Sequence, residues 1–183
     1  MKIQSGMTAP NFEVEDMFGK QVSLQSYTER KVLLAFFRNS ACAMCNLRVH
    51  QLIQQYAEWS QKGFEIIAVF ESPLENMAPY VGQREAPFPI ISDPHAKLYE
   101  LYGVETSAEK IQKMLTNPET GQMIIHAAEQ GFPLIKEEGS NFNRLPAEFL
   151  IGPQLRIQQA FYSDVVYEHL PLETIAQFAA SSV

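Results

Sequence analysis

Cys42 and Cys45 are the only two cysteines in the chain, and only Ala43 and Met44 separate them. Two thiols at this spacing on a helix start can close and reopen a disulfide within one turn, which is redox chemistry. The run Lys31-Val-Leu-Leu-Ala-Phe-Phe-Arg38 precedes them, a continuous apolar stretch of the kind buried on both faces of a sheet. After them Leu47, Leu52, Ile53 and Tyr56 recur at helical spacing, predicting a helix from Ala43 to about Lys62 that Gly63 stops. Asn39, Ser40 and Ala41 form the short strand-to-helix loop between the two. A thiol at a helix N-terminus faces unpaired backbone N–H groups and the positive end of the macrodipole, so its thiolate is favoured. In such motifs the cysteine pKa falls from about 8.5 into a range of roughly 3.5 to 7.5. Cys42, at the helix start, is the candidate nucleophile, and Cys45 is the thiol that closes the disulfide behind it.

Two other readings compete. A CxxC is half of a zinc site, but no second CxxC and no closely spaced histidine pair completes one, since His50, His95, His126 and His169 are scattered. Two inert buried cysteines would pack as small hydrophobes. Coincidence would then have to supply the spacing, the strand before and the helix after.

The chain of 183 residues is long enough for one domain with a full core, or one domain with a large insertion. Apolar residues make up 46% and charged residues 19%, which is ordinary for a globular protein. A formal net charge of −7 argues against nucleic acid and anionic membrane as primary partners. The start has no apolar core of a signal peptide, and nowhere do about 18 apolar residues run together. A cytoplasmic setting is the expectation, where a CxxC cycles rather than staples. No phosphate-cradling glycine loop is present, so no bound nucleotide or other cofactor is expected.

Strands and helices alternate, which argues an α/β class with a central mixed sheet flanked by helices. Phe12 to Val14 and Gln21 to Leu24 read as a small N-terminal β-hairpin. Phe64 to Phe70 is the next buried strand, followed by a helix from about Pro73 to Gln83 with proline in its first turn. Phe88 to Ser92 reads as a strand, and Pro94 to Tyr102 as a short helix closed by Gly103. Ala147 to Ile151 and Leu155 to Phe161 form an antiparallel pair at the sheet edge, and Leu172 to about Ala180 is the last helix. The stretch 105–142 is a helical insertion. Within it, Thr106-Ser-Ala-Glu109 reads as a capping box, Asn117-Pro118 ends the first helix, and Gly121 to Glu129 forms a second. Its apolar residues Met114, Ile124 and Ile125 either cover the core or make an interface, and covering the core is the first reading.

Taken together, several motifs resemble a known family. Gly6-x-x-Ala9-Pro10-x-Phe12, then Asp16-x-x-Gly19-x-x-Val22-Ser23-Leu24, then the apolar strand running into cysteine, are similar to the AhpC/TSA peroxiredoxin-like family of the thioredoxin superfamily. Phe36-Phe-Arg-Asn-Ser-Ala-Cys-Ala-Met-Cys-Asn-Leu47 looks like the branch with a CxxC in place of a single peroxidatic cysteine. The resemblance covers residues 6–104 and 143–180. It implies a thioredoxin-like fold and a redox-active Cys42/Cys45 pair. It implies a disulfide or peroxide substrate and a reducing partner such as a thioredoxin or glutathione system, and it allows a homodimer. It also places Pro146, just ahead of the strand from Ala147, where thioredoxin-like proteins set a cis-proline against the CxxC. An X–Pro bond is the only kind that goes cis at low cost; the alternative is an ordinary trans proline opening a strand.

The chain departs from peroxiredoxins proper, whose motif is Pro-x-x-x-Thr/Ser-x-x-Cys. Aligning their peroxidatic cysteine with Cys45 puts Arg38 at the proline and Cys42 at the threonine. The family's later arginine falls on Pro146, with Arg144 just before it. Arg38, Arg48 and Arg144 could supply charge to a departing oxygen, although each alone reads as a solvated surface charge. Three functions follow. In a thiol–disulfide oxidoreductase, Cys42 attacks and Cys45 resolves, with Arg38 tuning the thiol and Pro146 shaping the contact groove. In a thiol peroxidase, Cys45 attacks the peroxide and Cys42 resolves. In a non-enzymatic redox sensor, the insertion binds a partner.

Overall fold

The computed structural model describes residues 1–182. Strands β1 (Glu13–Glu15) and β2 (Gln21–Ser23) form a two-stranded antiparallel hairpin separate from the main sheet. The main sheet has five strands: β3 (Lys31–Phe36), β4 (Phe64–Phe70), β5 (Ile90–Ser92), β6 (Ala147–Gly152) and β7 (Arg156–Tyr162). Their spatial order is β5-β4-β3-β6-β7. β3, β4 and β5 are parallel, and β6 and β7 add antiparallel on the other side of β3, with β7 at the edge. The strand that leads into the CxxC is therefore the middle of the sheet.

That position explains why its sequence is apolar at every step from Val32 onward. Leu33, Ala35 and Phe37 point into one core layer, and Val32, Leu34 and Phe36 into the other. The first layer is covered by α1 (Ala43–Ser60), the insertion helices α4 (Ala108–Leu115) and α5 (Pro118–Glu129), and the C-terminal α6 (Leu172–Ala180). The second is covered by the N-terminal segment and by α3 (Lys97–Leu101), where Phe36 packs its ring against Tyr99, Tyr102 and Phe149. Burying a Phe ring of this kind stabilises by roughly 1.5 to 3 kcal/mol, so the strand is held from both sides.

Several expected elements are shorter or shifted. The helix expected over 73–83 breaks into α2 (Leu74–Met77) and a 3-10 turn at Val81–Arg84. Gly82 has low helix propensity, and its bare Cα sits where a Cβ would come within 3.1 Å of the Met77 carbonyl oxygen. β5 begins at Ile90 because Pro89 has no N–H to donate to the ladder. In the insertion, Ser107 rather than Thr106 caps α4, its hydroxyl accepting from the Lys110 N–H at 3.2 Å. Thr106 instead bridges to Arg144. Thr116 closes α4, Asn117 caps α5 and Pro118 occupies its first turn, so α5 starts three residues before the expected Gly121. Met114 is buried against the core and Ile124 packs partly on it, while Ile125 stays exposed.

Candidate active site

Cys42 is the N-cap of α1, in extended conformation, and its sulfur accepts from the Cys45 backbone N–H at 3.4 Å. Both cysteines are free, and their sulfurs lie 2.6 Å apart, with the Cys45 thiol donating to Cys42. Cys45 is fully buried, and Cys42 reaches solvent only slightly, with 5% of its surface exposed. Asn46 holds the loop ahead of them, its side-chain amide donating to the Ser40 and Cys42 carbonyls at 2.6 and 3.0 Å.

The three arginines read from the sequence as surface charges are all buried. A buried guanidinium must find an anion or strong acceptors. Arg48 does so in a two-pronged pair with Glu148, both contacts at 2.9 Å, and Arg144 in a similar pair with Glu71 at 2.6 and 3.1 Å. Among the described residues Arg38 has no carboxylate partner. Its Nε and Nη2 donate to the carbonyls of Arg144 and Phe142 at 2.9 and 2.6 Å, which aims Nη1 at the Cys42 sulfur, 3.9 Å away. The anion matched to Arg38 is the Cys42 thiolate.

These contacts separate the two thiols. Cys42 is brought down to about 6, chiefly by the hydrogen bond it accepts from the Cys45 thiol; burial opposes this, and the Arg38 charge and the Cys45 N–H add to it. Cys45 is pushed well above the usual thiol range by burial, by its donation to Cys42 and by the negative charge that Cys42 carries. Two chemically identical side chains one helical turn apart thus hold opposite protonation states at neutral pH. The arrangement favours the thiolate at Cys42 and the protonated thiol at Cys45.

Pro146 stands just ahead of β6, as expected, but its peptide bond is trans, and no cis bond occurs among the described residues. Groups on both sides of it are paired within the fold. The Leu145 N–H donates to the Glu105 carbonyl at 3.2 Å, and the Pro146 carbonyl accepts from Ser163 N–H at 3.1 Å, so the chain enters the sheet already extended. Pro146 is the trans proline that opens a strand.

Two carboxylates were not singled out from the sequence. Glu137, from the insertion, is buried against the loop before Cys42. Its Oε2 accepts from the Ser40 N–H and hydroxyl at 3.1 and 2.8 Å, from the Ser72 hydroxyl at 2.9 Å and from Ala41 N–H at 3.4 Å, and its Oε1 from Asn76 at 3.1 Å. In the run Lys136-Glu-Glu-Gly139 nothing distinguishes it from a solvated acid. Glu148 did leave a signal, as one charge inside the apolar run Ala147 to Ile151, which implies a buried partner. Burial would raise its carboxyl, but the Arg48 charge and then His169 outweigh that and hold it at about 2.

A model of the AhpC/TSA family matches residues 5–160. The chain belongs to the AhpC/TSA family. Among curated relatives, this AhpC/TSA chain is 30% identical over 104 residues to thiol-disulfide oxidoreductase ResA of Bacillus thuringiensis subsp. konkukian, an alignment spanning 56% of this chain and 60% of the relative. It is 25% identical over 103 residues to chloroplastic peroxiredoxin Q of Triticum aestivum, spanning 56% of this chain and 48% of that one. The matched part is thus less than two thirds of either relative's length. Among solved structures, peroxidoxin BcpB from Mycobacterium tuberculosis superposes with a TM-score of 0.69 at 14% identity, covering 97% of each chain. The fold is thioredoxin-like, with the CxxC where the central strand meets its helix.

Proposed function

We propose that this AhpC/TSA protein is a thiol–disulfide oxidoreductase in which Cys42 attacks and Cys45 resolves. One observation carries the reading: at 2.6 Å, one sulfur is poised as thiolate and the other as its hydrogen-bond donor. The Cys42 thiolate attacks one sulfur of a substrate disulfide, a new Cys42–substrate bond forms, and the other substrate sulfur leaves as thiolate and takes a proton. Cys45 then gives up its proton and attacks the Cys42 sulfur. The Cys42–Cys45 disulfide forms, the second substrate sulfur is released as a thiol, and the substrate has gained two electrons from the pair. A dithiol or glutathione-type reductant returns them, in a reducing compartment such as the cytoplasm.

Arg38 holds the attacking thiolate by charge while it is buried, and the α1 N-terminus adds to that. The likeness to peroxiredoxin Q keeps peroxide as the competing substrate, with Cys45 as attacking thiol, but a buried thiol held protonated is a poor nucleophile. The test is a pair of single variants mixed with hydroxyethyl disulfide and, separately, with hydrogen peroxide. Cys45→Ser is expected to trap a mixed disulfide on Cys42, and Cys42→Ser to trap none. Stoichiometric sulfenic acid in Cys42→Ser, formed rapidly with peroxide, would replace this reading with the peroxidase one.

A further inference from the structure

Much of the backbone of the loop at Pro146, beside the cysteines, is already paired within the fold. The Phe142 and Arg144 carbonyls accept from Arg38, the Leu145 N–H and Pro146 carbonyl are paired, and the Arg144 N–H donates to Asn141 at 3.3 Å. On the other side of Cys42 lies a cleft of about 630 Å³ between the α1 start and the insertion. Met44, Met114 and Ile124 line it, and Leu115, Leu134, Ile135 and Phe142 border it while remaining 41 to 66% exposed. None of the backbone N–H or C=O groups of Leu134, Ile135 and Lys136 is hydrogen-bonded to any described residue. Asn39, 7% exposed and also lining the cleft, has a buried side-chain oxygen with no partner. Arg38 and Lys136 bring positive charge, while the one carboxylate in the lining, Glu137, is already met by five donors.

We infer that this cleft docks an extended, apolar, acidic polypeptide segment carrying the disulfide to be reduced, with the backbone of Leu134–Lys136 as its pairing edge. The inference rests on the exchange reading above. An extended peptide offers alternating N–H and C=O groups to an unpaired stretch of chain, an N–H for the Asn39 oxygen, and apolar side chains for the cleft. A small organic disulfide could fill the volume but would leave those backbone groups unmatched. An acidic side chain beside the cysteine complements Lys136, since Arg38 already faces the Cys42 thiolate, in a protein whose net charge is −7. The insertion is then the part of the chain that selects the substrate, while the CxxC performs the exchange.

The experiment uses the full chain, reduced, with a peptide rich in Leu, Phe and Glu whose single cysteine is disulfide-linked to thionitrobenzoate. Cys42 bonds to the peptide sulfur, and the thionitrobenzoate thiolate leaves with the electron pair and is read by absorbance. The comparison substrates are the same peptide with Lys for Glu, and a mercaptoethanol–thionitrobenzoate disulfide. The acidic peptide is expected to exceed the mercaptoethanol compound in kcat/KM by about tenfold or more. Ile135→Pro, which deletes one backbone donor, should cut that preference about tenfold, and Leu134→Ser should lower it by a different route. Lys136→Glu should move the preference toward the lysine peptide. Equal rates for all three substrates with the unaltered protein, or variants that leave the preference intact, would overturn the docking site while leaving exchange in place. If no disulfide reacts at all, the exchange reading falls with it.

Discussion

The separation of the two thiols can be tested through the pH dependence of alkylation. With Cys42 at about 6, roughly 90% of it is thiolate at pH 7, against about 3% for an ordinary thiol near 8.5. Thiolate content alone would suggest a thirtyfold advantage. Intrinsic nucleophilicity falls with pKa, however, with a Brønsted slope of about 0.45, which removes a factor of about 13. At pH 7 the net gain is only about twofold. At pH 5.5 the fractions are about 24% and 0.1%, so the gain is about 20-fold. The perturbation is Cys45→Ala combined with Arg38→Met, which removes the hydrogen bond that contributes most and the nearby charge. Iodoacetamide rates for the unaltered protein and the double variant should nearly coincide at pH 7 and diverge by about 20-fold at pH 5.5. Cys45→Ala alone should show the larger share of the change. Peptide mapping should find the label on Cys42 first. Coincident profiles down to pH 5.5, or first labelling at Cys45, would refute the assignment of roles.

Other outcomes follow from the buried charges. Arg48→Met should destabilise by about 3 to 5 kcal/mol because it strands the Glu148 charge, whereas the double change to Met at both positions should be far milder; urea unfolding of the three proteins checks this. Glu148, folded near 2 and unfolded near 4.3, contributes about 3 kcal/mol that is complete above the unfolded value and lost as pH falls toward the folded one. Acid titration should accordingly show a loss of stability between pH 4.3 and 2 that is absent from the double Met variant. Glu137→Leu leaves the Ser40 and Ala41 N–H groups and three side-chain donors without this shared acceptor. It should lower the melting temperature and speed Cys42 alkylation by freeing the loop, while Glu137→Gln should keep most of both. An equal effect from the two substitutions would argue against a role for this hydrogen-bond cradle.

The reduced pair should also show a pH-dependent stability of its own. The Cys42 thiolate is favoured by folding, so its contribution is present above about 8.5 and lost as pH falls through about 6. Chemical denaturation of Cys45→Ala across this range, compared with the unaltered reduced protein, should show that slope weakened. A slope unchanged by Cys45→Ala would mean that the Cys45 hydrogen bond does not set it.

The amino-acid sequence by itself determined the central features of this protein. A continuous apolar strand, a CxxC and an amphipathic helix in succession are local patterns, each governed by side-chain periodicity and chain stiffness, and they place the redox pair at the strand–helix junction. The two helices within 105–142, the edge hairpin and the final helix were legible for the same reason. Tertiary structure decided what contact between distant segments decides. Arg38, Arg48 and Arg144 read as surface charges because nothing local shows that Glu71 and Glu148 fold against two of them and a thiolate against the third. Pro146 is trans, and its neighbouring groups pair with the distant Glu105 carbonyl and Ser163 N–H as the chain enters the sheet. The cleft beside Cys42 exists only because residues 134–142 return to the N-terminal end of α1, held there by Glu137. Periodicity reports which face of an element is buried. It carries no record of which buried charge will meet which, because that depends on how chain segments a hundred residues apart are packed together.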